Sequence, residues 1–123
     1  MGRKYVIGGN WKMNLTLPQA QQLAADVRNR LASHRGAEVI VFPPFPYLGA
    51  VIETLREGSV AVGAQDLHTA AKGAFTGAVS AAMLTSVGCT HVLIGHSERR
   101  HVFGDSNALV AEKLTVALQA GLA

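Results

Sequence analysis

The chain has 123 residues, of which 49% are hydrophobic and 15% are charged; this is sufficient for a folded core and excludes an intrinsically disordered protein. The formal net charge of +3 comes from lysines and arginines that are mostly scattered, a pattern that does not favour a nucleic-acid partner. No apolar stretch approaches the ~20 residues that a membrane-spanning helix needs, so we expect no membrane partner.

In chain order, apolar runs typical of strands alternate with segments of helical periodicity. The predicted strands cover residues 5–9, 39–42, 60–63 and 92–95. The predicted helices cover residues 17–34, 47–56, 80–87 and 106–120. In the first helix, apolar residues recur at spacings of three and four, which defines one buried face. The alternation predicts an α/β fold of four parallel strands and four helices, joined by right-handed crossovers.

Polar or rigid residues follow each predicted strand, at positions 10–12, 43–44, 65–66 and 96–98. In a (β/α)8 barrel, residues at the carboxyl ends of the strands build the active site. An open doubly wound sheet is the alternative, but the G-x-G-x-x-G spacing of its dinucleotide-binding form is absent. The sequence therefore predicts half of a (β/α)8 barrel, with residues 1–123 forming a single truncated domain.

The segment after the fourth predicted strand carries the densest chemistry of the chain. His96, Glu98, Arg99 and Arg100 fall within five consecutive positions. A histidine after a strand is more often a hydrogen-bonded structural residue than a catalytic one. For the two arginines, a structural ion pair or an interface role is favoured over catalysis. We expect no metal site, because no set of histidines, cysteines and carboxylates has the spacing of zinc ligands.

Three strings give the sequence a recognisable identity at the family level. They read GGNWKMN at 8–14, GAFTG at 73–77 and IGHSERR at 94–100. In this order and at this spacing they resemble the triosephosphate isomerase family, and the resemblance extends over the whole chain. It implies a TIM barrel and the interconversion of dihydroxyacetone phosphate and glyceraldehyde 3-phosphate through an enediolate, a step of glycolysis and gluconeogenesis. It also implies that no cofactor is needed.

The resemblance assigns roles to four residues. His96 would act as a neutral imidazole electrophile toward the substrate oxygens, the behaviour for which this family is the standard example. Lys12 would place an ammonium near the phosphate and the enediolate charge, and Asn10 would donate an amide hydrogen bond to the substrate. Glu98 would pair with Lys12 and fix its side chain. A solvated loop lysine is the alternative for Lys12.

The loop at 65–77 is long enough to be functional. In the family it projects into a neighbouring subunit and reaches that subunit's active site. Gln65, Phe75 and Thr76 are therefore candidate interface residues, together with Arg99. Ala78 stands where the family commonly has a glutamate, which removes an ion-pairing group from the usual interface. A mobile surface loop is the alternative.

Several functional parts of the family fall outside these residues. The catalytic glutamate follows the sixth strand, the lid comes after it, and the phosphate-binding amides belong to the seventh and eighth loops. We therefore expect no useful isomerase activity from residues 1–123 alone. Exposed strand edges and an open inner sheet face predict a homo-oligomer or association with a carboxyl-terminal half. A self-associating structural or folding fragment without an enzymatic role is the alternative.

The remaining predictions concern compartment and histidines. The single cysteine, Cys89, cannot form an internal disulfide and is expected to be packed in a helix-to-strand turn. With no room for a signal peptide before the first strand, this predicts a cytoplasmic protein. His34 and His68 are predicted to lie on the surface, and His91 is predicted to precede the fourth strand.

Overall fold

A computed structural model describes residues 2–123 as a four-stranded parallel sheet with helices between the strands. The strands are β1 (Tyr5–Asn10), β2 (Ala37–Phe42), β3 (Ala61–Ala64) and β4 (His91–Val92). The helices are α1 (Leu17–Arg30), α2 (Leu48–Leu55), α3 (Ala81–Val87), α4 (Ser97–His101) and α5 (Asn107–Gln119), and a 3-10 turn at Phe45–Tyr47 precedes α2.

The strands lie side by side in chain order, and every neighbouring pair is parallel. All their carboxyl ends therefore open onto one edge of the sheet. This confirms the predicted half-barrel of four parallel strands alternating with helices. The helix starts follow capping rules: Ser80 and Ser106 accept backbone N–H groups at the starts of α3 and α5, and Gln19 Oε1 accepts the Thr16 N–H at 2.9 Å before α1.

Two element boundaries, the ends of α1 and of β4, differ from the sequence prediction by three residues or more. Helix α1 ends at Arg30, not at position 34, because His34 Nε2 accepts the Ala37 N–H at 3.1 Å and closes a turn into β2. The predicted fourth strand is present, but β4 covers His91–Val92 and not 92–95, so His91 lies within the strand and not before it as predicted. Its pairing ends with the Leu93 N–H donated to Ala64 O, after which Gly95 turns the chain at φ 67°.

Two helices follow β4, whereas the sequence predicted a single helix there. The five-residue α4 directly after Gly95 supplements α5, so the fourth unit contains two helices. The turn at Gly95 is crowded, since a Cβ placed there would lie 2.9 Å from Val110 Cγ1 and 3.0 Å from Arg100 Nη2. Glycine therefore allows the tight turn by which the chain passes from β4 into α4, with His96 as the N-terminal cap of that helix.

The core lies between the sheet and the helices packed on its outer face. Ala20 and Ala24, one turn apart on α1, are fully buried, and their small side chains let the helix approach the sheet closely. Val51 and Leu84 bring α2 and α3 into the same core. Cys89 is buried in the turn before β4, which confirms its predicted packing. Among residues 2–123, no helix is long and apolar enough to cross a membrane.

The first strand is covered on one side only. β1 pairs with β2, and its other edge has no strand partner within the described part of the chain. Tyr5, Val6 and Ile7 are 77%, 63% and 56% exposed. Large apolar side chains on an open strand edge favour association with another strand.

Candidate active site

Segments that follow all four strands line an open cavity of about 340 Å³ at the carboxyl edge of the sheet. Its walls contain the four predicted site residues, Asn10, Lys12, His96 and Glu98. They also contain Met13, Phe45, Gln65, Asp66, Arg99, Val102 and Phe103. Residues separated by more than 80 positions in the chain thus meet at one point, because parallel strands bring their carboxyl ends together.

Lys12 and Glu98 form the ion pair that the resemblance implied. Lys12 Nζ lies 3.4 Å from Glu98 Oε2, and the two side chains are 55% and 45% exposed. An ion pair this open to solvent contributes little to stability. Its significance is positional, since it keeps the ammonium at the mouth of the cavity.

His96 is fixed by the helix that it caps. The Glu98 backbone N–H donates to His96 Nδ1 at 3.2 Å. Because a backbone N–H can only donate, this bond uses Nδ1 as its acceptor, and a neutral ring with Nδ1 unprotonated carries its hydrogen on Nε2. Glu98 Oε1 also lies 3.3 Å from Nδ1, while the other carboxylate oxygen, Oε2, pairs with Lys12. The neutral Nε2–H form is the one that satisfies the backbone donor.

Asn10 contributes a second donor beside the histidine. Its Oδ1 accepts the Lys12 N–H at 2.9 Å, which orients the carboxamide. Its Nδ2 then lies 3.3 Å from His96 Nε2. With Nε2 protonated, the His96 ring and the Asn10 amide are both hydrogen-bond donors and cannot bond to each other. They can instead donate to one shared acceptor. A substrate oxygen in the cavity is such an acceptor.

Gln65 follows β3 and bonds to the loop after β1, so it reaches across the end of β2. Its Nε2 donates to Lys12 O at 2.8 Å and to Phe42 O at 2.9 Å. The sequence predicted Gln65 as an interface contact; the structure shows that both amide hydrogens are used within the chain, and contact with a partner stays a prediction. No sequence motif pointed to this bond, because its partners are backbone carbonyls distant in the chain.

The two arginines after Glu98 are held by structural contacts. Arg99 lies 3.4 Å from carboxylate oxygens of both Asp66 and Asp105, and its guanidinium sits 4.3 Å from the Phe103 ring centroid. Arg100 Nε donates to Gly95 O at 2.9 Å. These contacts agree with the structural ion-pair role favoured for Arg99. Its predicted part in an interface remains a prediction.

A buried lysine that the sequence prediction missed completes this network. Lys113 on α5 is only 4% exposed and donates to Asp66 at 2.8 Å and to Asp105 at 2.7 Å. Burial alone would raise the pKa of Asp105, but the hydrogen bonds and charges of Lys113 and Arg99 outweigh it and lower that pKa below its ordinary value. One feature of the sequence could have indicated this buried lysine: it lies three residues after Val110, on the face of α5 that packs against the core.

The loop at 65–77 folds back on itself. The rings of His68 and Phe75 lie 4.3 Å apart, the His68 N–H donates to Val79 O, and the Ala78 N–H donates to Phe75 O. His68 is partly buried, because its ring packs against that of Phe75. His34 is exposed, as predicted. Phe75 is half exposed and Thr76 is exposed, and their predicted contacts with a second subunit stay predictions.

The cavity combines two N–H donors, one ammonium and paired carboxylates. This arrangement can bind an anionic molecule and stabilise negative charge that develops on its oxygens. It holds no free carboxylate for use as a base within residues 2–123, because Glu98 is paired with Lys12 and Asp66 is paired with Lys113 and Arg99. In the same residues, no three His, Cys, Asp or Glu side chains are grouped so that they could hold a metal ion.

Comparisons with known proteins agree on one family. The family model described as triosephosphate isomerase matches residues 5–123. Triosephosphate isomerase of Symbiobacterium thermophilum is 46% identical over 120 residues, and that of Rhodopirellula baltica is 43% identical over 122 residues. These alignments cover 98% and 99% of this chain but only 47% and 48% of the relatives. The chain therefore spans about half the length of these relatives.

A solved structure gives the same result for the fold. The crystal structure of triosephosphate isomerase from Bartonella henselae superposes with a TM-score of 0.90 at 37% sequence identity. It matches 98% of this chain, which in turn corresponds to 49% of that chain. The described sheet and helices thus have the arrangement of half of such a structure.

Proposed function

Because this chain belongs to the triosephosphate isomerase family, we propose that it supplies the electrophilic and cationic half of an active site that interconverts dihydroxyacetone phosphate and glyceraldehyde 3-phosphate. One observation carries the proposal: His96 Nε2, the Asn10 amide and the Lys12 ammonium face one cavity at the carboxyl edge of the sheet. An enediolate is a planar anion with two neighbouring oxygens, and these groups complement it.

Each residue has a distinct role in the proposed reaction. The His96 Nε2–H polarises the substrate carbonyl and moves a proton between the two oxygens of the enediolate. The Asn10 amide orients those oxygens, and the Lys12 ammonium stabilises their negative charge and attracts the phosphate. Glu98 has a positioning role, since it bonds to Lys12 through its carboxylate and to His96 through its backbone N–H. None of these roles requires a cofactor.

Removal of the carbon-bound proton requires a base, and we propose that a residue outside 1–123 supplies this base. The two carboxylates that line the cavity, Asp66 and Glu98, are both engaged in ion pairs among the described residues. A positioned general base contributes typically about 10²–10⁴-fold to a rate. Residues 1–123 by themselves should therefore give no useful turnover, and binding of the phosphorylated triose should also be weak.

We further propose that the exposed surfaces of this half-barrel are covered by association. The exposed side chains of β1 support either a homo-oligomer or pairing with a carboxyl-terminal half. These same side chains favour a second candidate function, that of a self-associating structural fragment with no enzymatic role. The buried free thiol of Cys89 suits a reducing compartment, so we place the protein in the cytoplasm.

Complementation tests the proposal. The purified chain is mixed with the carboxyl-terminal half of the Symbiobacterium thermophilum relative, and triose phosphate turnover is followed in a coupled assay. We expect turnover from the mixture and none from either half. The variant His96→Gln should lower the turnover of the mixture by about 10²-fold or more.

Two results would count against this function. Robust turnover by the chain alone would show that it contains its own base. A mixture that forms a stable complex without turnover would favour the structural alternative. The variant His34→Gln is the matched control, because His34 is exposed and lies outside the cavity.

A further inference from the structure

Gln65 connects the ends of three strands through a single carboxamide. It follows β3, and its two N–H groups reach Lys12 O at 2.8 Å, beyond β1, and Phe42 O at 2.9 Å, at the end of β2. We propose that Gln65 is a positioning residue that holds the Lys12 backbone in the conformation that delivers the ammonium to the cavity. The part that concerns catalysis rests on the proposed function; the part that concerns the Lys12 conformation does not.

The Lys12 backbone needs such support because it is strained. Its φ is 57°, in the left-handed region that residues with a Cβ seldom adopt. Both of its backbone polar groups are bonded to side chains: the N–H donates to Asn10 Oδ1, and the C=O accepts from Gln65 Nε2. Two carboxamides thus hold the strained conformation. That of Asn10 belongs to β1, which Lys12 itself follows, and that of Gln65 comes from the segment after β3.

The ion pair with Glu98 cannot set this position by itself. Both side chains are about half exposed and 3.4 Å apart, a geometry in which an ion pair contributes little free energy. A lysine side chain also has several rotatable bonds, so the place of its ammonium depends first on where its backbone points. Gln65 is partly buried and lies next to Asp66, which Lys113 and Arg99 hold in place. Of the two residues, Gln65 is therefore the one with the more buried surroundings, and Lys12 is the one whose position depends on the bond.

Few other residues could replace this glutamine. The site requires two donors on one planar group, since both acceptors are carbonyl oxygens. Glutamate has the same shape, but an ionised glutamate has only acceptors. Its negative oxygens would face the partially negative carbonyl oxygens Lys12 O and Phe42 O and be repelled. Leucine keeps the bulk and lacks every donor. The pair Gln65→Glu and Gln65→Leu therefore separates loss of the bonds from repulsion.

The first measurement uses the chain as it is. Exchange of the Lys12 amide hydrogen is followed by NMR in the parent chain and in the variants Gln65→Glu and Gln65→Leu. We expect at least tenfold faster exchange in both, because the Lys12 N–H leaves Asn10 Oδ1 once the carbonyl is released. Gln21→Glu is the matched control, because Gln21 is exposed on α1 and should leave the exchange unchanged. Unchanged exchange in a folded Gln65→Leu chain would overturn the proposal.

The second measurement uses the mixture with the carboxyl-terminal half. We expect Gln65→Leu to raise KM for triose phosphate at least tenfold, because a displaced ammonium no longer attracts the phosphate. A purely structural role would lower the amount of active complex and leave KM unchanged, so an unchanged KM would overturn the catalytic part. If the parent mixture is inactive, the proposed function fails, while amide exchange still decides whether Gln65 holds Lys12.

Discussion

His96 shows how one backbone hydrogen bond can select the chemistry of a side chain. The Glu98 N–H occupies Nδ1 at 3.2 Å and leaves Nε2 as the protonated nitrogen facing the cavity. We expect a long-range ¹H–¹⁵N spectrum of the chain at neutral pH to show His96 as the Nε2–H tautomer. His34, exposed and outside the cavity, serves as the reference for an unconstrained ring. A proton found on Nδ1 of His96 would contradict the assigned hydrogen bond.

Cys89 provides a pH-dependent test of burial. Desolvation raises the pKa of this thiol from 9.0 to about 11, so it stays protonated where an unfolded thiol begins to ionise. An acid whose pKa is raised by folding stabilises the folded state below its unfolded pKa. This contribution should therefore be lost as the pH rises from about 9 to about 11. We expect slow alkylation of Cys89 at pH ~8, where an ordinary thiol is partly ionised, and fast alkylation in denaturant. Equal rates would show that the thiol is accessible.

At the scale of elements, the buried ion network joins α5 to the loops that build the site. Lys113 from α5 contacts Asp66 after β3 and Asp105 before α5, and Arg99 from α4 contacts the same two carboxylates. Two positive charges thus balance two negative ones in a network whose Lys113–Asp105 pair is buried and whose Arg99 and Asp66 are partly exposed. Removal of one partner leaves buried charge uncompensated, which is costly even when the intact network contributes little.

The variant Lys113→Met tests this balance. We expect it to lower the free energy of unfolding by about 3–5 kcal/mol, as measured by urea denaturation. Lys72→Met is the control, because Lys72 is exposed and its loss should change the free energy by less than about 0.5 kcal/mol. Equal effects of the two substitutions would mean that water or a shifted Arg99 replaces the missing ammonium.

The elements were predictable where the signal is local. Apolar runs located the first three strands, and helical periodicity located the helices, because both depend on near neighbours in the chain. The end of α1 was misplaced for a local reason and the extent of β4 for a tertiary one. The His34 ring accepts the Ala37 N–H in the turn between α1 and β2. Ala64, the last residue of β3, accepts the Leu93 N–H, so β3 offers no further partner to the residues after Leu93.

The site divides in the same way. Asn10, Lys12, His96 and Glu98 lie in short strings that a family resemblance identifies. Gln65 came to attention as an interface residue, and Lys113 went unnoticed, because their bonds reach across 53 and 47 positions of the chain. Bonds between distant residues depend on which loops the fold brings together, and no local pattern records them.

At the scale of the whole molecule, the half-barrel has two unlike surfaces. The outer face of the sheet is covered by helices, whereas β1 leaves Tyr5, Val6 and Ile7 exposed beside unpaired backbone groups. A surface of this kind favours pairing with another strand. Covering it with a second copy and covering it with a carboxyl-terminal half are competing outcomes, because both use the edge of β1.

This competition gives the last prediction. We expect sedimentation velocity to show that the chain associates with itself as its concentration rises, and Ile7→Lys should weaken this association because a charge on an edge strand opposes pairing. Met83→Lys is a matched control, because Met83 on α3 is 54% exposed and Ile7 on β1 is 56% exposed. Of these two residues, only Ile7 lies on the edge strand of the sheet. Addition of the carboxyl-terminal half should replace the self-associated species with a mixed complex. A parent chain that stays monomeric at every concentration would contradict the role assigned to β1, and self-association that persists beside the other half would show that the copies use a different surface.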